Sequence, residues 1–157
     1  MEQYLDAMIQ SMDEKMDCLD RLLQMTARQK ETLEAEKTDW DTFDRLIDEK
    51  AELIDRLETL DDGFQAIFEK IRDELEGKKA QYREQIAKLQ QQIRRVTDQS
   101  NALITAEQRN KSIMENCATA ERRQIRQSKA NAKAASNYYN SMNRINYIDP
   151  QLMDKKK

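Results

Sequence analysis

The chain has 157 residues, 36% of them charged and 38% hydrophobic, with two glycines, one proline, no histidine and a net charge of −3. That balance excludes a thick globular core, which needs more aliphatic and aromatic mass. It favours a thin bundle or coiled coil with a narrow apolar seam.

From the N-terminus, Leu5, Met8, Ile9, Met12, Met16, Leu19, Leu22, Leu23, Thr26 and Leu33 recur at alternating steps of three and four. This is a heptad stripe, and it predicts a first helix over 3–35. The stretch AEKTDWDTFDR interrupts it, with Thr38 as the expected N-cap and Asp41 three residues on. A second stripe runs Trp40, Phe43, Leu46, Ile47, Leu53, Ile54, Leu57, Leu60, Phe64, Ile67, Phe68, Ile71 and Leu75, giving a helix over 39–76. Gly63 and Gly77 both qualify as glycines just past a helix end, and the seam keeps its phase through both. Length favours Gly77: three helices of equal length can bury every seam in an up-down-up arrangement. A stop at Gly63 leaves a very long third helix with nothing to cover it.

The third stripe is Tyr82, Ile86, Leu89, Ile93, Val96, Ser100, Leu103, Glu107, Asn110, Met114 and Cys117, over a helix at 79–118. It turns polar after Leu103, so this helix is expected to leave the bundle, or expose its seam, between 105 and 120. The fold class is therefore all-α, an antiparallel three-helix bundle over 1–118, with a flexible, basic arm over 119–157.

Charge is uneven along the chain. Residues 1–62 hold 8 Lys+Arg against 19 Asp+Glu, and residues 77–157 hold 17 against 7. Fields of opposite sign offset when the two halves fold together. The basic run Arg109, Lys111, Arg122, Arg123, Arg126, Lys129 and Lys133 lacks interleaved aromatics, which argues against nucleic acid. No run of about 18 apolar residues exists to span a membrane, and MEQYLDAMIQ has no signal-peptide pattern, so a cytoplasmic protein is expected. Without histidine, C-x-x-C or a glycine-rich phosphate loop, neither an enzyme, a cofactor nor a metal is expected. The i, i+4 carboxylate pairs Asp13/Asp17 and Asp48/Glu52 fit solvated faces better than a cation site. Cys18 and Cys117 are expected to be reduced apolar fillers about 35 Å apart along the bundle, beyond the reach of a disulfide.

Two features suit a protein partner. The row Met8, Met12, Met16 could offer an adaptable apolar strip, but ordinary core filling is the better reading of it. The ending NYYNSMNRINYIDP is rich in aromatic and asparagine residues and breaks the heptad pattern. It cannot bury enough surface alone to offset its ordering entropy. It either waits for a partner's groove or docks on its own bundle. The candidate partner contacts are Leu103, Met114, Ile125, Tyr138, Tyr139, Met142, Ile145, Tyr147 and Ile148.

The stretch KTDWDTFDRLIDEKAELIDRLETLDDGF, above all EKAELIDRL at 49–57, and the ending NYYNSMNRINYIDPQLMDKKK resemble the FlgN-type flagellar export chaperones. The resemblance implies a cytosolic, non-enzymatic helical bundle. It implies binding to hook-associated proteins at the hook–filament junction and delivery of them to the flagellar type III export apparatus. It places client contacts toward the C-terminal part of the chain. A monomer or weak dimer is expected. The competing expectations are a chaperone for the filament-cap protein and a self-associating coiled-coil scaffold.

Overall fold

The computed structural model describes residues 1–116, with Lys133 and Asn137 beyond them. Three helices follow one another: α1 (Glu2–Glu34), α2 (Trp40–Glu76) and α3 (Arg83–Glu115). At 1.5 Å per residue each is roughly 50–55 Å long. α1 is the middle element and packs along both others. Its partners show the directions. Ser11 reaches the Leu60 carbonyl and Gln29 reaches that of Phe43, so α1 and α2 are antiparallel. Gln92 reaches Ile9 and Asn110 reaches Thr26, so α1 and α3 are parallel. This is the expected up-down-up bundle, and there is no strand among the described residues.

The ends of the helices differ in detail from the sequence reading. Asp39, not Thr38, caps α2, its carboxylate accepting from the Thr42 N–H at 3.1 Å. The bonds from Thr42 hold that carboxyl below its ordinary range. Asp39 competes well for this position because its charge also faces the positive end of the helix dipole. α2 runs through Gly63 and stops at Gly77, as length argued. Gly77, however, has φ −87° and ψ −2°, so it ends the helix without the left-handed conformation that would call for a glycine. A tight turn over 77–82 follows, held by Lys78 N–H to Leu75 O at 2.9 Å and Gln81 N–H to Lys78 O at 3.0 Å. α3 ends at Glu115 rather than 118, with Asn116 closing it by hydrogen bonds to Ile113 and Met114 carbonyls.

Gly63 lies in a regular helix interior, and a Cβ added there meets nothing within 4 Å. Gly63→Ala is therefore expected to stabilise the bundle by about 0.5–1 kcal/mol, by reducing the freedom of the unfolded chain. A denaturant melt in which the variant is less stable than the parent would show that residue 63 is not helical.

The main core joins all three helices through Leu5, Met8, Leu19 and Leu22 of α1, Leu53, Leu57, Leu60 and Ile71 of α2, and Ile86, Leu89, Val96 and Leu103 of α3. Met8 and Met12 are buried within it and Met16 packs against it, so the methionine row is core. A second, smaller cluster closes the far end: Leu33, Trp40, Phe43 and Met114, with Ile47 and Ile113 against them. Trp40 and Phe43 meet edge to face with centroids 5.4 Å apart, a favoured aromatic geometry.

Candidate functional site: a closed bundle with a buried polar layer

The expected departure of the third helix between 105 and 120 does not occur within the described residues. Leu103 and Met114 are 0% and 1% exposed, and the polar seam positions between them, Glu107 and Asn110, are buried as well. The reason is a polar layer between the two apolar clusters. The Lys50 ammonium of α2 donates to Glu107 Oε1 of α3 at 2.7 Å and to Gln29 Oε1 of α1 at 2.8 Å. Gln29 Nε2 in turn donates to the Phe43 carbonyl at 3.2 Å. One turn along α3, Asn110 Nδ2 donates to the Thr26 carbonyl at 2.8 Å. Thr26 hydroxyl returns to the Leu22 carbonyl at 2.7 Å. A buried polar side chain is tolerated where its bonds are made. The third seam turns polar where a lysine and a glutamine from the other helices meet it.

A second ion pair crosses α1 and α2 inside the main core, Lys15 to Asp61 at 2.5 Å, with both side chains buried. Burial pulls both Lys15 and Lys50 below the ordinary lysine range, against the opposing pull of their carboxylate partners. The surface pair Arg56–Glu14, at 2.7 Å but about half exposed, contributes little by comparison.

α1 and α3 are registered by a pair of identical clamps one heptad apart. Gln92 Nε2 donates to the Ile9 carbonyl and to Asp13 Oδ1, and Gln99 Nε2 donates to the Met16 carbonyl and to Asp20 Oδ1. Asp13 thus serves helix pairing. Each clamp leaves the glutamine Oε1 buried without a partner, because the aspartate dictates which way the amide faces. Register along a parallel pair is what these clamps specify: a slip of one residue breaks both at once.

Sequence reasoning missed Lys15, Gln29, Lys50, Asp61, Gln92 and Gln99 as inward residues. The signal was present in their spacing. Lys50 bridges Leu46 and Leu53 at steps of four and three, and Gln92 and Gln99 differ by one heptad. Residue type argued the other way. Cys18 is buried and free, and burial pushes its thiol above the usual range. Cys117 lies outside the described residues, as do Ile125, Tyr138, Tyr139, Met142, Ile145, Tyr147, Ile148 and all of the proposed arm except Lys133 and Asn137.

The outer surface is strongly polar. Among the described residues Tyr4 is the one large apolar side chain more than about a third exposed, and Lys70 lies over its ring at 5.0 Å. A shallow groove between α1 and α2 is lined by Asp13, Glu14, Asp17, Cys18, Arg21, Leu53 and Arg56. No group of three or more potential metal ligands occurs among the described residues. No helix among them is long and apolar enough to cross a membrane.

These features define a closed, all-helical bundle with a buried polar interior and a charged exterior. The family described as FlgN protein matches residues 1–144, and the chain belongs to that family, the flagellar export chaperones, which are not enzymes. No curated protein and no solved structure matches the chain.

Proposed function

We propose that this protein is a cytosolic export chaperone for hook-associated proteins. It keeps them unassembled and hands them to the flagellar type III export apparatus. Family membership supports the chaperone role. The observation that carries the location of the contacts is the closure of the bundle: residues 1–116 turn their apolar side chains inward and leave Tyr4 as the one large exception. A partner whose own termini form amphipathic helices needs apolar surface to bind. In this chain the remaining supply is the stretch with Ile125, Tyr138, Tyr139, Met142, Ile145, Tyr147 and Ile148. The arm over 119–157 is therefore assigned the first contact with the client. Leu103 and Met114 take part only where the end of α3 leaves its place.

The test is a pull-down from the source cytoplasm with the full chain and with a chain ending at residue 135, the captured proteins being identified by mass spectrometry. Hook-associated proteins are expected on the full chain and lost from the shorter one. Retention on the shorter chain removes the arm as the contact site. Capture of the filament-cap protein instead changes the client. A stable dimer in sedimentation with no client captured favours the scaffold reading.

A further inference from the structure

The polar layer falls at the same level on all three helices. On α1, Thr26 and Gln29 separate Met25 of the main core from Leu33 of the small cluster. On α2, Lys50 separates Leu53 from Ile47. On α3, Glu107 and Asn110 separate Ile104 from Ile113. The small cluster is therefore a distinct apolar unit with its own boundary. Its members are unequally shared. Leu33, Trp40, Phe43 and Ile47 come from the α1–α2 hairpin, whereas α3 contributes only Ile113 and Met114. Glu107 to Lys50 and Asn110 to the Thr26 carbonyl are polar ties of this part of α3. Polar ties of this kind are made equally well by another helix carrying the same groups. Packed interiors open in cooperative units, and a boundary of polar residues between apolar clusters is where such a unit ends.

We propose that the last three turns of α3 are an exchangeable plug, and that the hairpin cleft of Leu33, Trp40, Phe43 and Ile47 is a receptor for an amphipathic helix of a partner chain. The plug shows what the cleft accepts: a carboxylate to meet the Lys50 ammonium, an amide donor one turn later, and a large flexible apolar residue seven positions after the carboxylate. Glu107, Asn110 and Met114 have that spacing. The hairpin around the cleft, residues 28–48, holds four Lys+Arg against seven Asp+Glu, so a guest with a basic outer face is favoured. That the guest is an export client rests on the chaperone reading; the exchange itself does not.

The full chain carries a single tryptophan, Trp40, which lies in the cleft and reports its occupancy. The probe is a blocked peptide of residues 103–116, LITAEQRNKSIMEN, which contains no tryptophan or tyrosine. It is expected to change Trp40 emission saturably. Met114→Ala or Ile113→Ala in the chain weakens the resident plug and is expected to tighten peptide binding at least tenfold. The triple variant Gln29→Leu/Lys50→Met/Glu107→Leu removes the Lys50 ammonium that would meet the peptide's carboxylate and is expected to weaken binding at least tenfold. Native-state hydrogen exchange of the full chain, with no peptide present, is expected to show amides 107–115 opening at least tenfold faster than 53–60 and 89–96. Peptide binding that is weakened or unchanged by both plug substitutions would overturn the proposal. So would distal amides that exchange with the main core, or a dimer of the full chain in which a second copy fills the cleft. None of these readouts involves a client, so failure here and failure of the pull-down are separate results.

Discussion

Lys50→Met alone should lower the stability of the bundle by about 3–5 kcal/mol, whereas Gln29→Leu/Lys50→Met/Glu107→Leu should be neutral or stabilising by about 1–4 kcal/mol. The asymmetry follows from where the charges sit. Glu107 is 8% exposed, and its carboxylate accepts from the Lys50 ammonium at 2.7 Å. Removing the lysine alone leaves a carboxylate in the interior without its cation, and leaves Gln29 Oε1 without its donor. Removing all three polar groups leaves no buried charge in this layer to desolvate, and Asn110 and Thr26 keep their own bonds. The direction of the Lys50 titration supports this ordering. Burial lowers its pKa despite the attraction of Glu107, so desolvation exceeds the Coulomb gain. Between the lowered folded value and the ordinary lysine value of 10.5 the unfolded state binds more protons than the folded state. Wild-type stability then rises with pH across that window. The triple variant lacks this lysine, so its advantage should narrow as pH approaches 10. Urea melts of the two variants at pH 7 and pH 10 check both statements. A single variant as stable as the parent would mean that Lys50 is not buried against Glu107.

Leu19→Ala should cost about 2–5 kcal/mol in the same melts, with cooperativity preserved. Leu19 is 0% exposed on the central helix, inside the cluster that joins all three helices. Truncation loses its transfer free energy and leaves a void lined from both sides of α1, which long packed helices cannot close by a small shift. Leu33→Ala is the matched control. Leu33 belongs to the small cluster beyond the polar layer. Its loss should move the global midpoint less than half as far, while speeding amide exchange at the α1–α2 turn. Equal global costs at the two sites would show one continuous core.

Much of this architecture was legible before any coordinate. The stripes of the first and second helices, their antiparallel order and the stop at Gly77 all follow from apolar spacing and from matching lengths. The cap of α2 was misplaced by one residue, because Thr38 and Asp39 are both good caps and only backbone geometry chooses between them. The behaviour of the third helix was read in the wrong direction. Its polar stretch after Leu103 suggested exposure, since a single helix carries no record of what faces it. Lys50 and Gln29, 57 and 78 residues away from Glu107 in sequence, make that stretch an interior one. The closed exterior was likewise invisible: the apolar side chains are plain in the sequence, but whether each is covered depends on its neighbours across the bundle.

The sequence by itself determined a charged helical bundle with three apolar stripes and carried, in stretches such as EKAELIDRL, the resemblance to the flagellar export chaperones. Heptad spacing, helix propensity and the absence of histidine are local properties, written residue by residue. The tertiary structure decided which polar residues are interior and where the core divides. Those depend on pairing charges and amides from three different helices, and the energy of a buried lysine is settled by the carboxylate and amide that happen to face it. The partition into a large core and a small Trp40 cluster exists only once Thr26, Gln29, Lys50, Glu107 and Asn110 stand at one level, and three separate stripes do not reveal that alignment until they are packed together.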